Sequence, residues 1–587
     1  MEKWVVQAKR ADFELWSREL GIDVVTARIL RNRNIETLEE ARNFMFGGLD
    51  SVHSPWLLKD MDKAVDCIVD AVKSGEKIRI IGDYDVDGVT STYILSKGIG
   101  CLGADVSTAI PHRIHDGYGL SDNLVNDAAA DNIDLIVTCD NGISAKEQIE
   151  LAGKLGIKVI VTDHHEVPFE IDGETKRQIL PEALAVVNPK RDDCGYPFKG
   201  ICGAMVAYKL ICALREKTGA SQLDEAVMDE LMMFAAIGTV CDVMELKDEN
   251  RIIVREGIKR MAVAPNNGLA ALMEVNKLSP DKLSCYHLGF VIGPCINATG
   301  RLDTAERALS MLNAKTKAEA LVIAVELKAL NDSRKNLTAE GIEAAEIYIA
   351  EHNLDKKDVW VIFLPEVHES IAGIIAGKIR ERYNHPVYIL TRGEECIKGS
   401  GRSIENYHMQ EHLTAVGDLL EKYGGHAMAA GLSLKEDNLE AFEQAVNTDT
   451  GLSAGDFVAK VSIDVPMPLD YASLKLAKEI EKLEPYGTGN PNPLFAQKDL
   501  ELYGIIPFGS DKQYCRLKVR TPEGRSFEIT SYEHPDRICA FLSEKYGEGV
   551  GDNILRGSSS CKISITYQLG INYYKGENAQ FTLKNYI

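Results

Sequence analysis

Short apolar runs separated by helix-length segments dominate the chain between about residues 60 and 245. The runs are Lys77 to Ile81, Val106 to Ile110, Asp134 to Thr138, Lys158 to Thr162 and Leu184 to Val187. Runs of this length that alternate with helical segments are typical of a parallel sheet whose strands are joined by crossover helices. The pattern therefore predicts an α/β domain in this part of the chain.

Other patterns follow this domain along the chain. A helix-rich stretch extends from about 250 to 350, with Leu321 to Leu330 on a helical period. A second alternating block begins at Val359 to Phe363 and continues to about 450. Beyond about 458, strand-like runs such as Tyr503 to Ile506 and Cys561 to Tyr567 are separated by turn sequences, which favours a small β-barrel.

The predicted fold class is multidomain α/β, because 587 residues are too many for one hydrophobic core at about 150 residues per domain. We expect an N-terminal helical segment, a parallel-sheet domain, a helical connector, a smaller α/β domain and a C-terminal β-barrel. Their predicted bounds are 1–55, 56–250, 251–350, 351–457 and 458–587.

Composition excludes several classes of protein. No apolar run is long enough to cross a bilayer, and Met1 to Trp4 leads into no signal-peptide core, so we expect a cytoplasmic protein with no membrane partner. The 13 cysteines are scattered singly, which fits neither a disulfide framework nor a thiolate zinc site. A net charge of −22 means that a polyanionic substrate would have to meet basic residues concentrated in a groove.

Acidic residues and histidines follow several of the apolar runs directly. They are Asp83, Asp85 and Asp87 after the first run, Asp140 after the third, and Asp163, His164 and His165 after the fourth. Ligands of parallel sheets bind beyond the carboxyl ends of the strands, where these side chains would meet. Crowded carboxylates repel one another unless a cation lies among them, and oxygen ligands with imidazole suit Mn²⁺ or Mg²⁺. The number of ligands predicts two divalent ions that share a bridging carboxylate.

Each of these features also has an ordinary structural explanation. A lone Asp after a strand is usually a helix cap, and adjacent histidines are more often surface or capping residues than ligands. Three such features at strand ends of one sheet are much harder to explain in that way, since convergence of titratable groups in one crevice is what a site requires.

Four short motifs resemble those of the DHH phosphoesterase superfamily, which takes its name from the tripeptide at 163–165. The motifs are Asp83 to Gly88, Asp140 to Gly142, Asp163 to His165, and Gly238 to Asp242. The last motif marks Asp242, which nothing but the resemblance singles out.

Further segments resemble the RecJ-like exonucleases within that superfamily, over nearly the whole chain. They are Pro111 to Arg113, Gly117 to Leu120, Asn297 to Leu302, Gly399 to Ser403, Gly424 to Gly431 and Pro485 to Pro491. The resemblance implies a DHH catalytic domain, a DHH-associated substrate-binding domain and a C-terminal OB-fold. It also implies a role in DNA repair and recombination, with single-strand binding protein and helicases as partners.

The resemblance implies a two-metal phosphodiesterase that removes mononucleotides from single-stranded DNA, 5′ to 3′, by in-line attack of an activated water. The implied metal ligands are Asp83, Asp85, Asp87, Asp140, His164 and Asp242, with Asp140 as the bridge. His165 would face the phosphate. One departure concerns Ile81, which stands where many DHH phosphatases have a histidine, so we expect Asp83 to replace that ligand.

Arginines in the matching segments are candidates for binding a terminal phosphate, because the guanidinium fork pairs with phosphate oxygens in a bidentate way. The candidate phosphate-binding residues are Arg113, Arg301, Ser400, Arg402 and His426. Each arginine taken alone is more often part of a surface salt bridge, but Arg301 and Arg402 follow glycines in loops whose backbone amides can also reach an anion.

Two other functions fit parts of the sequence. A phosphodiesterase for cyclic dinucleotides or other small nucleotides would use the same metal site, but it would not need the C-terminal β-domain. A catalytically silent nucleic-acid-binding module would not need the carboxylates, which would only weaken its affinity for DNA.

Overall fold

The computed structural model describes residues 2–113, 119–172, 175–263, 265–574 and 576–587. Its N-terminal segment contains β1 (Lys3–Val6), α1 (Phe13–Leu20), α2 (Val24–Asn32) and α3 (Leu38–Phe46). The side chains of Asp12, Asp23 and Thr37 cap the three helices by accepting backbone hydrogen bonds from the first turn. The predicted helical segment is thus present, and a strand precedes it.

The predicted α/β domain contains seven strands and six helices among the described residues. They are α4 (Met61–Ser74), β2 (Lys77–Ile81), α5 (Val86–Gly100), β3 (Asp105–Ala109), α6 (Asp122–Ala130), β4 (Leu135–Cys139), α7 (Lys146–Lys154), β5 (Lys158–Thr162), β6 (Phe169–Asp172), β7 (Thr175–Gln178), β8 (Ala185–Val187), α8 (Gly203–Thr218) and α9 (Glu225–Cys241).

The five predicted runs form one parallel sheet in the order β3, β2, β4, β5, β8. β2 and β5 have their predicted bounds, and the other strands begin and end within one residue of theirs. β4 is buried throughout, and α5 is buried on nearly all sides because it packs against both α8 and α9. This burial explains why the central strands β4 and β5 are almost continuous apolar runs, whereas the edge strand β3 is partly exposed and includes Ser107 and Thr108.

The connector is helical as predicted and ends in a helix of 35 residues. Its helices are α10 (Asp248–Val263), α11 (Asn267–Val275), α12 (Cys285–His287), α13 (Gly293–Leu302), α14 (Glu306–Leu312) and α15 (Lys317–Glu351), and a π-helical turn at Leu288–Ile292 precedes α13.

The smaller α/β domain follows α15 as predicted. Its elements are β9 (Trp360–Phe363), α16 (Glu369–Tyr383), β10 (Val387–Arg392), β11 (Ile397–Arg402), α17 (Met409–Ala415), β12 (Lys422–Gly425), β13 (Ala429–Leu434) and α18 (Leu439–Val446). The sheet order is β12, β13, β11, β10, β9, in which only the pair of β9 and β10 is parallel.

The C-terminal region is the predicted β-barrel. Its elements are β14 (Lys460–Ile463), β15 (Val465–Pro466), α19 (Leu474–Glu481), β16 (Phe495–Phe508), β17 (Tyr514–Arg520), β18 (Ser526–Ser531), α20 (Pro535–Tyr546), α21 (Val550–Leu555), β19 (Cys561–Asn572) and β20 (Asn578–Tyr586). The long strand β16 pairs with both β17 and β19 and closes the barrel, with register shifts that allow it to bend. The closed barrel confirms the predicted OB-fold.

The chain divides into two compact units. The first contains residues 53–244 and 256–459, and the second contains residues 3–52, 245–255 and 460–587. In the second unit, β1 pairs in parallel with β14, and apolar side chains of α1 to α3 share one core with the barrel. The N-terminal segment therefore folds with the C-terminal domain. Within the described ranges, no helix is both long and apolar enough to span a membrane.

Candidate active site

The predicted acidic residues meet at one edge of the parallel sheet. Asp83, Asp140 and Asp163 follow β2, β4 and β5, which are neighbouring strands. All three are almost completely buried. Asp140 has a left-handed backbone with φ of 61°, a conformation that Asp tolerates better than most residues. The prediction that these strand ends converge is confirmed.

The first motif turns sharply from β2 into α5 and places three carboxylates together. Asp85 caps α5 by accepting a hydrogen bond of 3.0 Å from the Gly88 N–H. This carboxylate is therefore a helix cap as well as a candidate metal ligand. A side chain at Gly88 would lie 2.3 Å from the carbonyl oxygen of Asp83, which requires glycine there. Asp87 accepts hydrogen bonds from the backbone of Gly203 and Ala204, at 2.6 and 2.9 Å, and is thereby fixed at the start of α8.

Three groups of side chains could each hold a metal ion. In each group the ligand atoms lie within 4.8 Å of one another. The groups are Asp83 with Asp85 and Asp140, Asp87 with His164 and Asp242, and Asp140 with His164 and His165. Asp140 and His164 each belong to two groups, which is the arrangement that two ions with shared ligands require.

The electrostatics of these carboxylates favour a bound cation. Burial, and then the charge of Asp85, raise the pKa of Asp83 to about 7. Burial, followed by the charges of Asp87 and Asp85, raises the pKa of Asp242 to about 8 and that of Asp140 well above its usual range. A divalent ion among these carboxylates would stabilise their ionised form, which burial and mutual repulsion otherwise disfavour.

The imidazole of His164 suits a metal ligand. Its Nε2 lies 3.0 Å from an Asp140 oxygen and 3.6 Å from oxygens of Asp87 and Asp242. Burial lowers the pKa of His164 to about 4, so the ring is neutral and offers a lone pair. Among the described residues, its Nδ1 and the Asp242 Oδ2 have no hydrogen-bond partner although both are buried. The donor set and these unsatisfied atoms fit Mn²⁺ or Mg²⁺.

Asp163 differs from the other carboxylates because hydrogen bonds satisfy it. It accepts hydrogen bonds from the backbone of Ile143, His164 and His165, and its Oδ1 lies 2.8 Å from the His165 Nδ1. Burial raises its pKa, but the contact with His165 and the other hydrogen bonds outweigh that effect and leave the pKa lowered. Asp163 therefore positions the half-exposed His165 ring and directs its Nε2 away from the carboxylate.

Two of the five predicted phosphate-binding residues, Arg113 and Ser400, line one cavity. Two more lie close to its lining, since Arg301 contacts the carbonyl of Ser370 and Arg402 is two residues from Ser400 on β11. This cavity of about 270 Å³, called the end cavity below, is lined by residues that include Tyr84, Arg113, Ser370 and Ser400. Tyr84 lies between two of the metal-site carboxylates in the sequence, so the end cavity adjoins the metal site.

The prediction that Arg301 and Arg402 lie in loops is wrong, because Arg301 lies in α13 and Arg402 is the last residue of β11. These arginines nevertheless form a cluster of positive charge with Arg113. The Arg113 guanidinium lies 4.9 Å from the centre of the Tyr84 ring, and Arg301 donates a hydrogen bond of 2.5 Å to the Ser370 carbonyl. Burial, and then the charges of Arg113 and Arg334, lower the pKa of Arg301 to about 10, and Arg402 contributes to the same effect. Such a cluster is stabilised by an anion.

The fifth residue, His426, lies elsewhere. It is exposed and lines a larger cavity of about 820 Å³ together with His165, Asn141 and Lys190. Of the predicted segment Gly117 to Leu120, residues 117 and 118 lie outside the described residues, and the Gly119 N–H faces Asp83 at 3.4 Å.

Some residues of the site had no signal in the sequence. Arg334 lies on the long helix α15 among other charged residues, where a solvent-exposed role is the usual expectation. Arg380 lies on α16, and its charge, after burial, lowers the pKa of Arg402. Asp163 stood beside the predicted ligands, but only the hydrogen-bond geometry distinguishes it from them.

The raised carboxylate pKa values predict how metal binding changes stability. Without metal, the folded state holds protons that the unfolded state releases near pH 4, so stability should fall as pH rises from about 4 to about 8. Mn²⁺ replaces those protons, and its stabilising effect should grow over the same range. We expect the rise in Tm on adding Mn²⁺ to be about 3 °C or more larger at pH 8 than at pH 5.5. Calorimetry would check this, and an equal rise at both pH values would contradict it.

Three segments of the chain match the models of known domain families. Residues 77–239 match the model of the DHH family, N-terminal domain, residues 356–450 match the DHHA1 domain, and residues 463–585 match the RecJ OB domain. The fold and the site thus define a phosphoesterase of the DHH class with an added OB domain, as the motifs predicted.

The relatives then give the family. The chain is 36% identical to the single-stranded-DNA-specific exonuclease RecJ of Salmonella typhimurium, over 80% of this chain and 82% of that protein. It is 32% identical to RecJ of Bacillus subtilis, over 88% of this chain and 64% of that protein. The crystal structure of RecJ from Thermus thermophilus in complex with Mn²⁺ has a TM-score of 0.78 and 27% identity, covering 100% of this chain and 79% of that one. This chain belongs to the RecJ family of exonucleases.

Proposed function

We propose that this protein is an exonuclease that hydrolyses phosphodiester bonds of single-stranded DNA with two divalent metal ions, Mn²⁺ or Mg²⁺. The observation that carries the proposal is the convergence of seven acidic and histidine residues into three groups that share Asp140 and His164. Related RecJ structures were obtained with Mn²⁺ and with Mg²⁺, which supports the choice of ions.

The proposed ligands divide between two ion positions. One position would be held by Asp83, Asp85 and Asp140, and the other by Asp87, His164 and Asp242, with Asp140 as the bridge. Asp83 would then replace the histidine that is absent at Ile81. Bound divalent ions lower the pKa of water and stabilise charge on phosphate oxygens.

The protein's own residues orient the reaction. Amides of Gly203 and Ala204 fix the Asp87 carboxylate, and the α5 cap fixes that of Asp85. Burial lowers the pKa of His165, but Asp163 outweighs this and leaves it raised, so the ring can carry a positive charge. We assign His165 the role of contacting the scissile phosphate and neutralising the charge that develops on it.

The end cavity supports a 5′ to 3′ direction. A terminal phosphate held by Arg113, Arg301, Ser400 and Arg402 would place the first phosphodiester bond at the adjoining metal site. Cleavage there would release one mononucleotide and leave a new terminal phosphate on the strand.

The C-terminal barrel supports binding of a single strand. Phe508, Tyr514 and Tyr532 form a row with ring centres 5.7 and 5.4 Å apart, and the Arg516 guanidinium lies 5.3 Å from the Phe508 ring. Tyr532 is 61% exposed and the other two rings are half-buried. We propose that bases stack on this row, because aromatic rings and arginine bind single strands without sequence preference.

Point substitutions test this row better than deletion of the domain, since the N-terminal helices share its core. Tyr532→Ala should weaken binding of a long single strand by about fivefold or more, because a stacked base contributes on the order of 1–3 kcal/mol. Hydrolysis of a dinucleotide should stay within about twofold of wild type. Fluorescence anisotropy with a 30-nucleotide strand measures the first effect, and Tyr574→Ala, at another exposed tyrosine of the same domain, is the control. If Tyr532→Ala bound the 30-nucleotide strand as tightly as the wild type, the aromatic row would not be the binding surface.

The proposed exonuclease function is tested by comparing a long single strand with a cyclic dinucleotide as substrates. The protein should degrade a long single strand in Mn²⁺, lose this activity in EDTA, and hydrolyse cyclic dinucleotides at least about tenfold more slowly. The OB domain at 463–585 favours the long substrate over the small-nucleotide alternative. Faster hydrolysis of the cyclic dinucleotide would reverse this choice.

We also propose a role in DNA repair and recombination. Partnership with single-strand binding protein and helicases stays a prediction, which co-purification or calorimetric titration with those proteins would test.

A further inference from the structure

A second cavity adjoins the end cavity on the surface of the smaller α/β domain. Its volume is about 710 Å³, and it shares the lining residues Glu369 and Lys398 with the end cavity. Every residue that lines it lies between 368 and 435, whereas the end cavity also includes Tyr84 and Arg113 of the catalytic domain. The second cavity therefore continues from the end cavity along the smaller domain.

A row of polar side chains crosses the sheet beneath this cavity. Lys398 on β11 pairs with Ser433 on β13, which pairs in turn with Lys422 on β12. Directly opposite residues in antiparallel strands project on the same face. On β11 the row lies two residues from Ser400, which is about 7 Å along a strand.

The glycine pair beside this row leaves the surface open. Ser400 pairs with Gly431, and Gly431 pairs with Gly424. Ser400, Gly431 and Gly424 therefore form a neighbouring row across the same three strands. Its two glycines place no side chain between Ser400 and the lysines Lys398 and Lys422. The space above both glycines is open among the described residues, since a Cβ at Gly424 would meet no atom within 4 Å and one at Gly431 would meet only the Gly399 carbonyl oxygen at 4.0 Å.

The charges at the second cavity are mixed, but two lysines are available. Arg392 pairs with Glu436 at 2.8 Å, and Lys435 pairs with Glu421 at 3.3 Å. In the described part of the chain, Lys398 and Lys422 form no ion pair within 4.0 Å, and Lys422 is exposed. These lysines can bind an anion without losing an existing partner.

Carboxylates also line the second cavity, and their charge limits the ligands that it can bind. These carboxylates are Glu369, Glu394, Glu395 and Glu421. A bare polyanion would be repelled by them, whereas a di- or triphosphate carries a divalent cation that carboxylates and their waters can face. A mixed lining of lysines and carboxylates suits such a metal-bound polyphosphate.

We propose that the second cavity binds the additional phosphates of a 5′-di- or triphosphorylated strand, so that the protein accepts such ends as well as 5′-monophosphates. This proposal rests on the proposed function, because the end cavity must hold the phosphate next to the sugar. The β- and γ-phosphates then lie against the row of Lys398, Ser433 and Lys422.

The chemistry of the first cleavage is the same as for a monophosphate. Water attacks the phosphorus between the first and second nucleotides, and the bond from that phosphorus to the 3′ oxygen of the first nucleotide breaks. The 3′ oxygen takes up a proton, so the first product is a nucleoside 5′-triphosphate. The shortened strand keeps the attacked phosphate as an ordinary 5′-monophosphate.

The test uses single-stranded DNA of one sequence with a 5′-monophosphate or a synthetic 5′-triphosphate. The wild-type protein should release the first nucleotide from both strands with kcat/KM values within about threefold of each other. Lys422→Ala should lower kcat/KM for the triphosphate about fivefold, the effect of a partly solvated charge contact, and Lys422→Glu should lower it further. Both variants should leave the monophosphate rate unchanged, since Lys422 lines only the second cavity.

The matched control is Lys378→Ala, at an exposed lysine of the same domain that pairs with Glu381. Lys422 is on the edge strand of the sheet and exposed, so its variants should fold, and thermal melting would verify this. If the wild-type protein degrades the monophosphate but not the triphosphate, the second cavity has another role and the exonuclease proposal stands. Equal losses on both substrates would also overturn the assignment, and failure on both in the wild type would overturn the proposed function itself.

Discussion

Asp140→Ala is expected to lower the hydrolysis of single-stranded DNA by about a thousandfold or more. The carboxylate belongs to two of the three candidate metal groups, so its loss would weaken both ion positions, and fixed charge at the reacting phosphate is commonly the largest contribution to catalysis. The fold should persist, because the raised pKa of the Asp140 carboxyl group shows that its charge destabilises the metal-free folded state. Single-turnover assays in saturating Mn²⁺ would measure the rate.

Two variants complete this experiment. Asp140→Asn keeps the volume of the side chain and removes the charge, and it should be nearly as slow as alanine. Asp127→Ala removes an exposed carboxylate of the same domain and should behave as wild type. Turnover near the wild-type rate in folded Asp140→Ala would exclude the shared-ligand assignment.

Arg402→Ala should slow the degradation of 5′-phosphorylated strands by at least about tenfold and affect 5′-hydroxyl strands much less. Arg402 is two residues from the cavity-lining Ser400 on β11 and so projects on the same face of the sheet. Its Nη1 donates to the Gly401 carbonyl at 2.7 Å, and its pKa is lowered by burial and then by Arg380. A charged contact to a phosphate at such a site typically contributes about 2 kcal/mol or more. The ratio of kcat/KM for the two substrates measures recognition of the end.

Arg382→Ala is the matched control, because this exposed arginine of the same domain pairs with Glu346. A residue that only attracts the backbone would weaken both substrates alike and reduce the salt dependence of binding. Equal losses on phosphorylated and hydroxyl strands would assign Arg402 to that general role.

The strand ends of the catalytic sheet could be predicted from the sequence because local pattern determines them. The central strands β4 and β5 are almost entirely buried apolar runs, and acidic residues follow the ends of β2, β4 and β5. Once the runs are assigned to one sheet, convergence of Asp83, Asp140 and Asp163 follows from topology.

Asp242 could not be predicted in this way, since its position depends on tertiary packing. It follows the last residue of α9, where one Asp is unremarkable, and reaches the site because α9 packs against α5. Only the motif that ends at Asp242 identified it. The role of Arg334 likewise depends on its charge near Arg301, which is distant in sequence. Asp163 differs, because its partners His164 and His165 are adjacent in sequence and only their geometry shows that they satisfy its carboxylate.

The association of the N-terminal segment with the C-terminal domain is also a long-range effect. The parallel pairing of Lys3 with Lys460 joins the N-terminal segment to the first strand of the C-terminal region, and no local pattern encodes such a pair. The buried ion pair of Arg33 with Asp464, at 2.6 Å, strengthens the same association.

Anomalous diffraction from crystals soaked in Mn²⁺ tests the central claim most directly, because it locates the ions without reference to activity. We predict two manganese peaks in each chain, one within coordinating distance of Asp83, Asp85 and Asp140 and one within coordinating distance of Asp87, His164 and Asp242. In crystals of Asp140→Ala, at least one peak should be lost. A single peak in the wild-type protein, or peaks away from these residues, would contradict the two-metal site.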